Sequence, residues 1–148
     1  MARFLRSAAI AVAAVVLAAC NLIPGGNQVS AFDLDPGVCF NDVEGTEVGS
    51  VPTVPCDQPH DNEVFEVVNY PAGGDEPYPG DSTMQSYAEQ ECKGLFDEYV
   101  GLDYDSSEFY LLPITPSEGT WGDGDREIIC SLYEPGEKLT GSARGARR

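Results

Sequence analysis

Apolar residues recur at helical spacing in one segment near the middle of the chain. They fall three or four positions apart and so line one face of a helix; they are Met84, Tyr87, Ala88, Cys92, Leu95, Phe96 and Tyr99. Ser82 and Gln85 have the spacing of a capping box, and Gly101 stands where a helix should stop. The pattern predicts one amphipathic helix that starts near Ser82 and ends before Gly101.

Shorter segments have the β-branched, aromatic or alternating pattern of strands. They are residues 37–43, 51–56, 63–70, 108–114 and 126–133. The first two flank a Gly-containing turn and are expected to form a hairpin, and Pro113 places the fourth at a sheet edge or ends it. We therefore expect an α+β fold, with a small, mostly antiparallel sheet and one packed amphipathic helix.

The N-terminus has the pattern of a lipoprotein signal peptide. Arg3 and Arg6 precede an uncharged stretch, residues 7–19, which is too short to span the ~30 Å of a bilayer's hydrocarbon core. The stretch ends in Leu-Ala-Ala-Cys, the lipobox pattern, in which Cys20 receives a diacylglyceryl group. We expect cleavage after residue 19 and lipid anchoring through Cys20; the alternative is an ordinary secretory signal that ends at an unrelated cysteine.

The expected domain, residues 32–140, is flanked by two segments that are not expected to fold. Residues 20–31 contain a Pro-Gly-Gly sequence and are predicted to be a flexible tether. Residues 141–148 are small and basic and are predicted to be a disordered tail.

The charge of the chain narrows the choice of partners. The sequence has 25 acidic and 8 basic residues, and cleavage would remove Arg3 and Arg6 but no acid, taking the formal net charge from −17 to −19. A surface this negative repels phosphate, so neither nucleic acid nor an anionic lipid surface is an expected partner. Solubility is its simplest role.

Four cysteines besides Cys20 predict disulfides. An even number in an exported domain indicates pairing, and four cysteines allow three connectivities. In the predicted hairpin Cys39 lies opposite Cys56, so Cys92 and Cys130 remain to join the helix to the last strand. Two disulfides would then staple the domain. The alternative is a metal site of four thiolates, but the sequence has no Cys-x-x-Cys pair, and no metal or cofactor is expected.

Several short motifs resemble the septum-formation domain family of actinobacterial envelope proteins. The resemblance extends from residue 32 to residue 133 and lies in residues 34–40 (LDPGVCF), residues 54–64 (VPCDQPHDNEV), Cys92, residues 121–126 (WGDGDR) and Cys130. Val38 departs from the family pattern, which usually has Asp there. The resemblance implies an association with septum formation, but it provides no catalytic residue.

His60, the only histidine, is the first candidate for a functional site. Beside Asp61 it could act as a metal ligand or a pH switch. Alternatively, it hydrogen-bonds the turn after the hairpin and packs beside the Cys39–Cys56 bond. We favour the packed role, because a lone histidine without a second soft ligand makes a weak metal site.

Trp121, Asp125 and Arg126 form a second candidate group. Trp121 could stack on a sugar, although a tryptophan in such a turn more often covers the edge of the core. Arg126 could bind an anion, but its position next to Asp125 favours an ion pair.

These features favour a non-enzymatic binding or scaffolding module. We expect it at the extracytoplasmic face of the cell membrane, held there by lipid on Cys20 and acting with cell-division or envelope-assembly proteins. The alternatives are a small envelope enzyme acting on wall polymers and a cation-responsive sensor domain. Nothing in the sequence selects a catalytic nucleophile or a carboxylate pair.

Overall fold

The computed structural model describes residues 27–44 and 49–148, which form one antiparallel sheet, two α-helices and a short 3₁₀ helix (Tyr104–Ser106). The strands are β1 (Asn27–Ser30), β2 (Cys39–Phe40), β3 (Ser50–Val54), β4 (Asn62–Asn69), β5 (Tyr110–Ile114) and β6 (Glu127–Tyr133). Their order across the sheet is β1-β3-β2-β4-β6-β5, and every pairing is antiparallel. The α+β prediction is confirmed, and Pro113 lies in an edge strand as expected.

The long helix α1 (Asp81–Val100) covers one face of this sheet. Its predicted apolar face is confirmed, with Met84, Ala88, Cys92 and Phe96 fully buried. Gly101 ends the helix in the left-handed conformation, as predicted. The predicted capping box is wrong: Gly80 is the N-cap and supplies no side-chain bond, whereas Ser117 and Thr120 form a capping box at the short helix α2 (Glu118–Gly122).

Two separate apolar clusters lie on the two faces of the sheet. The larger joins α1 to inward-facing residues such as Ile128 and Leu132, and the smaller contains Ala31, Phe40 and Ile129. The two clusters are possible because successive strand residues alternate between faces. The helix therefore buries one face, and other segments cover the opposite face.

Both disulfides are present with the predicted connectivity. Cys39 bonds Cys56 and Cys92 bonds Cys130, each with 5.3 Å between the Cα atoms. The predicted hairpin register is wrong, however, because Cys39 lies opposite Val54. Pro55 follows the end of β3, so Cys56 lies in the next turn and reaches Cys39 from there.

Part of the predicted tether forms a strand. Of residues 20–31, Asn27–Ser30 pair with β3 as β1, so the prediction of a flexible segment is wrong there. The edge of β3 supplies backbone partners that a local reading of the sequence could not reveal. The signal peptide, Cys20 and the tip of the hairpin turn lie outside the described residues.

Residues 141–148, here named the C-terminal strap, pack on the end of α1. The prediction that they form a disordered tail is therefore wrong. The amides of Gly145 and Arg147 donate to the carbonyls of Tyr99 and Val100. These carbonyls belong to the last turn of a helix, where no intrahelical donor is available. The small Ala143 is only 2% exposed, and the basic side chains of the strap suit the negative end of the helix dipole.

Within residues 27–44 and 49–148, no helix combines the length and apolar composition that a membrane crossing requires.

The disulfide pairing can be tested by peptide mapping under non-reducing conditions. We expect peptides that link Cys39 to Cys56 and Cys92 to Cys130, and replacement of a pair by alanine should lower the unfolding free energy by ~3–4 kcal/mol, since each bond restricts the unfolded chain. A reduced sample, which should lose both linked peptides, is the control. A crossed pair would contradict this fold.

Candidate functional site

His60 is fully buried and lies in an internal contact. Its backbone pairs in both directions with Leu139, and its Nδ1 lies 2.8 Å from the carbonyl oxygen of Gln58. A carbonyl oxygen can only accept, so Nδ1 is the donor in this contact. Among the described residues Nε2 has no hydrogen-bond partner. These contacts are those of a packed residue.

Asp61 faces outward beside a lysine. Its Oδ1 lies 2.5 Å from Lys138 Nζ, and its Oδ2 accepts from the Asp42 amide. Burial raises the pKa of Asp61, but the contacts with Lys138 and the Asp42 amide outweigh burial and lower the pKa below its usual value. Asp61 is therefore a stable anion.

Trp121 and Arg126 pack against each other at the end of the sheet opposite His60 and Asp61. The Arg126 guanidinium lies 3.5 Å from the centre of the Trp121 ring and donates to the carbonyls of Trp121, Asp125 and Gly74. The indole is only 5% exposed, and its Nε1 donates to Glu76. Stacking on a buried indole stabilises the guanidinium, which joins α2 and a loop to β6.

The predicted Asp125–Arg126 ion pair is wrong. Asp125 accepts from the Glu127 amide, and the four ion pairs among the described residues do not include Arg126. The guanidinium turns instead to Trp121 and to backbone oxygens. Trp121 and Arg126 lie near the start of β6, whereas His60 and Asp61 lie near its other end. The length of the strand therefore places the two groups roughly 20 Å apart.

The sequence reasoning missed Glu63, a fully buried carboxylate on the helix side of β4. Glu63 accepts from the Tyr99 hydroxyl at 2.6 Å, from the Ala143 amide at 2.7 Å and from the Ser142 hydroxyl. Such a charge is tolerated in a core only when donors surround it. The sequence did contain a signal: Glu63 lies two residues before Phe65 in a predicted strand, so its side chain points to the same side of the sheet as that aromatic core residue.

Metal ligation at Glu63 has little chemical support. In the part of the chain that the structure describes, Cys39, Cys56 and Glu63 come close enough to bind an ion. The two sulfurs are joined in a disulfide, so they offer no thiolate ligands.

An open groove lies on the sheet face opposite α1. Phe40 and Val51 line one wall and Leu112 and Ile114 the other, around a volume of about 460 Å³. We call it the apolar groove. Three strands separate β3 from β5 in the sheet order, so the sheet must curl to bring these walls together.

A second, acidic groove adjoins the first. Its volume is about 560 Å³, and Asp61, Glu134, Glu137 and Lys138 are among its lining residues. Asp42 lines both grooves, so the two grooves meet at this residue. Sequence patterns could not reveal these grooves, because their walls come from segments far apart in the chain.

The pH dependence of stability can test the Glu63 contact. Burial and the hydrogen bond to Glu63 raise the pKa of Tyr99 to about 12, and burial, with Asp81, also raises the pKa of Tyr78 to about 12. Because an unfolded tyrosine titrates near pH 10, the unfolding free energy should hold up to about pH 10 and fall between about pH 10 and pH 12. Tyr99→Phe should reduce this fall, as measured by urea unfolding.

Tyr78→Phe removes the second tyrosine with a raised pKa and should also reduce the fall, so the double variant should show a smaller fall than either single variant. An unchanged slope in Tyr99→Phe would contradict the contact.

Comparison with known proteins gives one match. A family model described as septum formation matches residues 36–147, about three quarters of the chain. The matched region includes both disulfides and nearly all of the C-terminal strap. No curated protein and no solved structure matches the chain. The chain belongs to the septum formation family.

Proposed function

We propose that this protein is a lipid-anchored, non-enzymatic binding or scaffolding module that works with cell-division or envelope-assembly proteins. Membership of the septum formation family indicates a cell-division-related role outside the cytoplasm. The two disulfides support an extracytoplasmic location, since such bonds persist in oxidising compartments. Cys20 would hold the domain at the membrane.

The observation that carries the proposal is the pair of open grooves that meet at Asp42. An open surface with exposed apolar side chains is typical of protein interaction sites. By contrast, the polar residues of the types common in catalytic sites make internal contacts: His60 and Glu63 are fully buried, and Arg126 is bound to backbone oxygens.

An envelope hydrolase is the second candidate, because carboxylates line the acidic groove. Hydrolysis of a glycosidic bond needs a carboxylic acid that still holds its proton near neutral pH. The lowered pKa of Asp61 makes it unsuited to that role. A cation-responsive sensor remains the third proposal, with the acidic surface as its support.

The anchor is tested by replacing the lipobox cysteine. Cys20→Ala should release the protein into the medium or leave an uncleaved precursor, because no thiol remains to accept the lipid. Immunoblots of membrane and medium fractions measure this, with Ile23→Ala as a control that keeps the lipobox. Unchanged processing and membrane association of Cys20→Ala would refute the anchor.

Variants of His60 distinguish the binding-module hypothesis from the enzyme hypothesis. His60→Ala should lower the unfolding free energy by ~2 kcal/mol, since it removes a buried ring and its hydrogen bond to Gln58. Septal localisation of a fluorescent fusion should persist at temperatures where the variant is folded. If His60→Gln kept its thermal stability but lost septal function, the enzyme or metal hypothesis would move to the front.

A further inference from the structure

We propose that the joined grooves bind an extended partner segment in which apolar side chains lie next to lysine or arginine residues. The proposal rests on the binding role above and specifies the chemistry of the partner. The segment would place its apolar side chains between β3 and β5 and its cations beside Asp42 and the acidic groove.

Strand β5 presents apolar side chains on the face of the sheet that holds the apolar groove. Tyr110, Leu112 and Ile114 alternate along this strand and therefore share a face. Leu112 is 37% exposed and Tyr110 52% exposed, next to a groove whose opposite wall contains Phe40 and Val51. Covering such side chains is favourable, so this face fits a partner's apolar residues.

The edge of β5 argues for recognition by side chains. Edge strands often recruit a partner as an added strand through free backbone groups. Pro113 is the fourth of the five residues of β5 and has no N–H to donate, which interrupts such a ladder. The partner is therefore expected to lie across the face of the sheet, in the groove.

The charges that line the two grooves indicate that the partner segment is cationic. Asp42 lines both grooves, and no lysine or arginine among the described residues lines the apolar one. In the part of the chain that the structure describes, one cation lines the acidic groove, Lys138, and it is already bound to Asp61; Arg148 offsets Glu134. With a net charge of −17 on the whole chain, the surface favours a cationic segment.

The probe is a labelled synthetic peptide of alternating leucine and lysine. Fluorescence anisotropy measures its affinity for the purified full chain in neutral detergent, and carbodiimide crosslinking followed by mass spectrometry locates the lysines. We expect crosslinks to Asp42 or Glu137 and an affinity that falls with added salt. Peptides with glutamate in place of lysine, or serine in place of leucine, should bind at least about tenfold more weakly.

Variants of the protein separate a specific site from general charge attraction. Asp42→Asn and Leu112→Ser should each weaken binding about fivefold, the effect of losing one modest contact. Glu89→Gln makes the same charge change on an exposed part of α1 and should leave the affinity within about twofold. Thermal melts confirm that each variant is folded.

Equal weakening by Asp42→Asn and Glu89→Gln, or crosslinks confined to α1, would overturn the inference. Equal binding of the serine peptide would also overturn it, since the apolar groove would then play no part. If the peptide fails to bind while the fusion protein still localises to septa, this inference fails and the proposed function stands. Loss of septal localisation with intact peptide binding gives the reverse result.

Discussion

The buried carboxylate of Glu63 is the constraint on which much of this structure depends. An anion in the core must be surrounded by donors, and the donors come from parts of the chain far apart: Tyr99 on α1, and Ser142 and Ala143 in the C-terminal strap. Satisfying Glu63 therefore fixes the end of the helix and the path of the strap together. Arg144, which lies 4.5 Å from the centre of the Tyr99 ring, covers the same contact.

The rest of the architecture leaves part of one sheet face open. The Cys92–Cys130 bond and the larger apolar cluster hold α1 against the sheet, while segments near β1 cover part of the other face. The remaining part of that face, near β5, holds the apolar groove, and the acidic groove adjoins it at Asp42. This open part of the sheet is the surface on which the proposed binding role rests.

The fate of the candidate residues shows why residue type is a weak guide to function in this chain. His60 and Arg126 have side chains that often serve in sites, yet the first is buried and the second bonds backbone oxygens. Burial depends on which segments cover a residue, and here the covering segments lie far away in sequence, as Leu139 does for His60. Leu112 and Val51 drew no attention because their meeting depends on the curl of the sheet.

Local pattern by itself determined several features of this protein: the long helix through its apolar period, Gly101 as its end, and the edge position of Pro113. These depend on spacing within a few residues and on the phase of each strand. Only the tertiary structure decided the strand register, the role of the C-terminal strap, the burial of Glu63 and the grooves. Each of these is set by contacts between distant segments, whose free energy no local pattern records.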